Sequence, residues 1–283
     1  MNPSAGTLTV EPALMEVVLE KSNETKNVTL LYKNTSSQPL TLEIFPIDFK
    51  QQNDLGDIQF LGNDTTQYSY SLSSFLEFST NLLELPPQGT GKLLVTVRNR
   101  EDISPGGHYT AVVARPLVQS SEGKTTVAPS LSTTLFLHKT GGERFNLSLK
   151  SVSWPSYFVV FQYKNQVELL FQNEGNVHVV PYGVIEVQDT FGRQLYKGSI
   201  NTGSIRVLPE TRRYINNDLI VVEKSFPVSL NTIKVQGNDS LHKTQYLYKN
   251  YFIYLNPWVG LGIIAVIVLV IFLRMRSKHS SRS

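Results

Sequence analysis

An apolar run near the C-terminus constrains this chain more than any other feature of its sequence. Trp258–Leu273 contains no charged side chain, and the basic segment RMRSKHSSRS follows it directly. Counted from Pro257, 17 residues at ~1.5 Å each make a helix of about 26 Å, close to the thickness of a bilayer core. The sequence therefore predicts a membrane helix anchored by Trp258, Leu261, Ile264, Val268 and Phe272.

The flanks of the run predict how it would lie in a membrane. Tyr251, Phe252 and Tyr254 precede it and indicate an aromatic belt, so we assign 251–273 to the membrane segment and 274–283 to a tail. Basic residues remain on the cytoplasmic side of membrane helices. This rule predicts a single-pass plasma-membrane protein with its bulk outside and a cytoplasmic tail that contains Arg274, Arg276, Lys278 and Arg282.

The N-terminus bears on this orientation. MNPSAGTLTVEP has neither a basic nor an apolar region typical of an export signal. We therefore expect that a signal was removed or that the true start lies upstream. The alternative is a tail-anchored protein with its bulk in the cytoplasm, which the charge bias disfavours.

The rest of the chain has the pattern of short β-strands separated by turns. In KLLVTVRNR, for example, Leu93, Val95 and Val97 alternate with polar residues. Turn-forming clusters such as QQNDLGD, LPPQGTG and ISPGGH lie between such runs, and 118–127 is interpreted as a hairpin loop. The glycine pair Gly141–Gly142 marks a break. We therefore predict an all-β fold with two immunoglobulin-like sandwiches, 1–141 and 142–250, followed by the helix.

A short phrase occurs twice in these segments. VTLLYKNTSSQPLT, starting at Val28, and VELLFQNEGNVHVV, starting at Val167, share a strand that ends in Asn34 or Asn173. Asparagine bonds to its own backbone and bends the chain there. The repetition favours two sandwiches of the same kind, although chance similarity between apolar strands would also produce it.

The order of these segments resembles a known family. LTVEPALMEVVLEKSNETKNVTLLYKNTSSQPLTLEI and ISPGGHYTAVVARP come first, VELLFQNEGNVHVVPYGVIEVQDTFGRQLYKG follows, and a membrane helix with a basic tail closes the chain. This arrangement is similar to the Gram-positive WxL-interacting surface proteins. The resemblance implies a first module associated with peptidoglycan and a second with a protein partner. More distantly, the first unit is similar to periplasmic pilus chaperones and major sperm protein domains.

Composition excludes several other functions. A formal net charge of only +3 argues against a nucleic-acid partner, which requires a concentrated basic face. The chain has 0 cysteines, so disulfides and thiolate metal sites are excluded. Its five histidines form no metal-binding spacing, and no nucleophile motif occurs. We therefore expect no cofactor and no enzymatic activity.

The remaining function is binding, through sheet edges and exposed loops. A cell-surface β-sandwich without cysteine is more typical of bacteria than of eukaryotes. The bilayer and a surface protein or peptidoglycan are therefore the expected partners. Two segments are the candidate contacts, the turn Pro105, Gly106, Gly107, His108 and Tyr109 and the loop containing Asn173, Asn176 and His178.

Overall fold

The structure is a computed structural model that describes residues 8–62, 68–117, 130–154, 159–161, 165–241 and 243–280. Contacts divide the chain into two compact units. The first consists of Met1–Phe145 with Gly175–His178, and the second of Asn146–Glu174 with Val179–Ser283. The loop at 118–127 and Arg282 lie outside the described residues.

The described residues of the first unit form ten strands in two sheets. One sheet has the order β1-β3-β8-β6 and the other the order β2-β10-β9-β4, with β5 and β7 both paired to β4. All pairings are antiparallel except that of β2 with β10. The strands are β1 Leu8–Glu11, β2 Leu14–Leu19, β3 Thr25–Asn34, β4 Leu40–Gln51, β5 Ile58–Phe60, β6 Leu76–Phe78, β7 Leu82–Leu85, β8 Thr90–Arg98, β9 Gly106–Pro116 and β10 Leu131–Lys139, with a 3-10 turn at Ser73–Phe75.

Alternating apolar residues of these sheets form one core. Leu93, Val95 and Val97 on β8 are all fully buried, as their spacing predicts. On β3, Leu30 and Tyr32 are also buried. They pack in the same cluster as apolar residues of the opposite sheet, including Leu42, Ile44, Val112, Ala114, Leu135 and Leu137.

In the second unit, the part of the chain that the structure describes forms nine strands, again in two sheets. A three-stranded sheet has the order β11-β13-β16, and a six-stranded sheet has the order β12-β19-β18-β14-β15-β17. Only β12 and β19 are parallel. The strands are β11 Leu147–Ser153, β12 Val159–Val160, β13 Gln166–Asn173, β14 Pro181–Asp189, β15 Gln194–Ile200, β16 Thr211–Asp218, β17 Ile220–Val221, β18 Val228–Asp239 and β19 Gln245–Leu255.

Apolar side chains from both sheets of the second unit are buried, among them Leu169, Phe171, Ile185, Ile233 and Phe252. Two sheets that each bury one row of alternating residues form a sandwich. The chain is therefore an all-β protein with two immunoglobulin-like β-sandwiches followed by one helix, which confirms the predicted fold class.

The helix α1 spans Pro257–Ser280. The Asn256 side chain caps it, because its Oδ1 accepts the Trp258 N–H at 3.0 Å, and Pro257 suits the first turn. Within the described residues this is the one helix whose length and composition would allow it to span a membrane, over Pro257–Met275 with a mean hydropathy of 2.6. Trp258, Leu261, Ile264, Val268 and Phe272 are all exposed.

The helix differs from the predicted membrane segment at both ends. Tyr251 and Tyr254 lie in β19 rather than in the helix, because they continue a sheet whose register with β18 extends to Leu255. At the other end, α1 continues past Leu273, so Arg274, Arg276 and Lys278 are part of it.

Candidate partner-contact site

The predicted contact turn lies at the start of β9, and its glycines are required there. Gly106 has a φ of +126°, which side chains rarely adopt. A Cβ on Gly106 would also lie 2.7 Å from the backbone oxygen of Asn176. At Gly107 a Cβ would overlap the hydroxyl group of Tyr109. Neighbouring backbone and side-chain groups therefore leave no room for a side chain at either glycine of SPGGHY.

Asn176 is the residue that approaches it. Its backbone oxygen accepts a hydrogen bond from the Gly107 N–H at 2.7 Å. Its side-chain amide donates to the backbone oxygens of Pro105 at 3.3 Å and Gly142 at 3.2 Å, and its Oδ1 accepts the Arg144 N–H at 2.6 Å. One asparagine thus joins three backbone segments.

Tyr109 and His178 form a second connection in the same unit. The Tyr109 hydroxyl is buried and accepts the backbone N–H of His178 at 2.9 Å. The His178 ring packs edge-on against Tyr109 and against Phe136, with centroids 5.6 and 5.1 Å apart. Burial raises the pKa of Tyr109 well above its ordinary value, so the phenol remains a neutral hydrogen-bonding group.

The outer side of this cluster is polar. The His178 Nε2 lies 3.2 Å from the Glu16 carboxylate on β2, and Glu16 is half-exposed. His108 is buried, with Nδ1 3.0 Å from the backbone oxygen of Ser71 and Nε2 2.8 Å from that of Ser104. Of the predicted turn, only Pro105 is exposed.

Asn173 is the predicted contact that lies elsewhere. It is fully buried at the end of β13 in the second unit, where its amide donates to the backbone oxygen of Val207 at 3.0 Å. Asn34, its counterpart in the repeated phrase, is also fully buried and donates to the backbone oxygens of Gln38 at 2.8 Å and Pro86 at 3.1 Å. In both units the side-chain amide of an asparagine at the end of a strand thus donates a hydrogen bond to a backbone segment distant in the sequence.

The structure therefore brings together all of the predicted contact residues except Asn173. Pro105 lies at the exposed rim, and the others are Gly106, Gly107, His108, Tyr109, Asn176 and His178. Sequence reasoning missed Glu16, Phe136 and Arg144, which complete the cluster. Phe136 belongs to the alternating pattern of β10, but the sequence alone does not indicate which aromatic ring it meets. Among the described residues, no three His, Cys, Asp or Glu side chains are grouped so that they could hold a metal ion.

Comparison with solved structures gives distant matches. No protein-family model and no curated protein matches the chain. A solved chaperone–tip adhesin complex of CFA/I fimbriae is 11% identical, covering 87% of this chain and 98% of that one with a TM-score of 0.47. The CsuC–CsuE chaperone–tip adhesion subunit complex of Acinetobacter baumannii is 14% identical over 88% and 99% of the two chains, with a TM-score of 0.42. A PapD-like domain of human CEP192 is 15% identical over 50% and 92%, with a TM-score of 0.32.

All three TM-scores are below 0.5. These similarities therefore indicate nothing about the function of this chain.

Proposed function

We propose that this chain is a non-enzymatic, single-pass membrane protein of the bacterial surface that presents two sandwiches to a protein or cell-wall partner. The observation that supports the anchor is α1, which begins two residues after β19 and exposes apolar side chains on all sides. Exposed apolar surface of this extent is unfavourable in water and favourable in a bilayer.

The orientation follows from charge. Four Lys or Arg residues, beginning with Arg274, follow the apolar segment within ten residues. The twenty residues before the segment contain only two, Lys243 and Lys249. The positive-inside rule then places the sandwiches outside the cell. The resemblance to WxL-interacting proteins agrees with this arrangement and suggests a surface protein or peptidoglycan as the partner.

Binding would use the exposed features of the sandwiches. Outermost strands such as β16, which lies next to β13 at the edge of its sheet in the described residues, are positions at which a partner strand could add. At the cluster around Asn176, a partner would touch the exposed rim formed by Ser104, Pro105 and Glu16, while the buried residues beneath hold this rim in place.

Protease treatment of intact cells tests the orientation. With an epitope tag after Ser283, external protease is expected to leave only the tag, α1 and a few flanking residues. Complete protection in intact cells, with digestion only after lysis, would overturn the outside orientation and favour the tail-anchored cytoplasmic adaptor.

Photo-crosslinking tests the contact site. A benzophenone side chain at Pro105 is expected to capture a surface component on living cells, whereas the same group at Leu55, an exposed residue in the turn after β4, is not. Equal capture at both positions, or none at Pro105, would remove the rim as a contact.

A further inference from the structure

One end of the second sandwich lies next to the start of the helix. In the β18–β19 pair, Val228 is opposite Leu255, and α1 begins two residues later at Pro257. The Asn256 N–H also donates to the Pro227 oxygen at 2.7 Å. These connections are short, so this end of the sandwich faces the membrane surface wherever α1 is embedded. The inference below therefore rests on the proposed anchoring.

The turn between β14 and β15 lies at the same end. Asp189 is opposite Asn231 on β18, and the Thr190 N–H donates to the Leu230 oxygen at 3.2 Å. Leu230 is in turn opposite Ile253. The next residue along the turn, Phe191, therefore lies level with the last residues of β19.

This turn has a fixed shape. The buried Asp189 carboxylate accepts the N–H groups of Phe191 at 2.9 Å and Arg193 at 3.0 Å, and it pairs with the Arg193 side chain at 2.7 Å. Gly192 has a φ of +81° and supplies the conformation that closes the turn. The backbone conformation of the turn consequently holds Phe191 at the tip.

The tip is apolar and unusually exposed. Phe191 is 79% exposed, and its ring stacks edge-on with Phe226, whose centroid is 6.1 Å away. The Arg193 guanidinium lies 3.9 Å from the Phe226 ring centre. Val228 and Leu230 on the outer face of β18 are 54% and 42% exposed. We call Phe191, Phe226, Val228 and Leu230 the membrane-end patch.

The composition of this patch fits a lipid surface. Aromatic rings are enriched at membrane interfaces. Water-exposed apolar patches usually mark an interaction site. Here the neighbouring surface is the outer leaflet that surrounds α1.

We propose that the membrane-end patch docks the second sandwich onto the lipid headgroup region of the bilayer that holds α1, with Phe191 inserted. The helix and the patch would then form two attachments that restrict how the sandwich tilts. A domain linked only through Asn256 would otherwise be free to pivot at that residue.

Because the chain has no cysteine, Phe191→Cys introduces a single thiol to which a spin label can be attached at this position alone. Leu241→Cys is a matched control. Leu241 is also exposed, and its N–H is also accepted by the carboxylate of an aspartate two residues earlier, Asp239, at 2.8 Å. It lies at the opposite end of the β18–β19 hairpin, about 30 Å away at ~3.4 Å per residue.

Each full-length variant would be spin-labelled and reconstituted in vesicles of phosphatidylcholine and phosphatidylglycerol. Collision with oxygen and with a water-soluble nickel chelate then reports on burial in lipid. If Phe191 is inserted, the spin label at position 191 is expected to collide with the chelate about threefold less often than the label at position 241, and with oxygen more often. This is the behaviour of side chains buried ~5–10 Å in the interface.

The outcomes separate the two proposals. Equal accessibility at both positions in a chain that resists carbonate extraction would overturn the docking and leave the anchoring intact. Release of the chain by carbonate would overturn the anchoring, and the docking with it. If Phe191→Cys aggregates, a label at Phe226→Cys decides by the same comparison.

Discussion

The backbone oxygen of Asn176 accepts the N–H of Gly107 at 2.7 Å, although 69 residues separate them in the chain. This bond joins the loop that follows β13 to the turn that begins β9. Gly175–His178 accordingly belongs to the first unit, whereas the flanking residues belong to the second. The turn and the loop therefore depend on each other for their conformation.

Alanine substitutions at glycine should separate steric overlap from backbone strain. Gly107→Ala introduces overlap with Tyr109 without a positive φ, whereas Gly141→Ala, at a φ of +100° with no atom within 4 Å, introduces strain alone. Gly106→Ala introduces both. We expect losses of about 1–3 kcal/mol from overlap and about 1–2 kcal/mol from strain, with Gly106→Ala the most destabilised in thermal unfolding of the detergent-solubilised chain.

Gly62→Ala is the control for this series, because Gly62 has neither a positive φ nor a close neighbour. It should unfold at the temperature of the unmodified chain. If Gly106→Ala were no less stable than Gly62→Ala, the close approach of Asn176 to the turn would be refuted.

Removing the Asn176 side chain should destabilise the first unit. Asn176→Ala leaves the Arg144 N–H and the oxygens of Pro105 and Gly142 without these hydrogen bonds, at a cost of about 1–3 kcal/mol. Asn146→Ala is the matched control, since its amide donates only to the exposed Glu174 carboxylate in the contacts described here. A change of less than about 0.5 kcal/mol is expected there. Similar denaturant midpoints for both variants would contradict the role of Asn176.

Stability should fall in mild acid because of His138. Its side chain on β10 is largely buried, and this desolvation lowers the pKa of His138. The nearby His178 also lowers this pKa, whereas the Glu143 carboxylate at 3.8 Å raises it. The unfolded chain takes up a proton near pH 6.5, and the folded chain does so only at lower pH. The free energy of unfolding should therefore be unaffected above that pH and decrease as the pH falls below it.

Two variants test this assignment. His138→Gln cannot take up the proton, so its melting temperature should change less between pH 7 and 5 than that of the unmodified chain. Glu143→Gln removes the charge that favours the imidazolium, so the acid loss should become larger. An unchanged pH dependence in His138→Gln would show that another group is responsible.

The sequence predicts the strands that bury one alternating face, but it does not delimit strands whose residues are mostly polar or aromatic. The Pro-containing turn in VLPETRRY indicates that a strand follows. Where β16 begins is not evident, because it is an outermost strand in which only Ile215 and Asn217 are buried. Gln245–Leu255 lies across the predicted boundary between the second sandwich, 142–250, and the membrane segment, 251–273, because its aromatic residues run directly into the apolar helix. The contact between the turn at Pro105 and the loop at Asn176 could not be derived, since hydrogen bonds to backbone oxygens leave no pattern in the sequence.

The position of a charge in α1 should decide whether the chain remains in the membrane. Val268→Lys places an ammonium group near the middle of Pro257–Met275, where insertion costs about 2.5–3.5 kcal/mol. Leu273→Lys places the same group near the end of the segment, where a long side chain reaches the headgroups and the cost is small. Carbonate should therefore extract much of the Val268→Lys protein and little of the Leu273→Lys protein. If both remained in the membrane pellet like the unmodified chain, the centre of α1 would not lie in hydrocarbon.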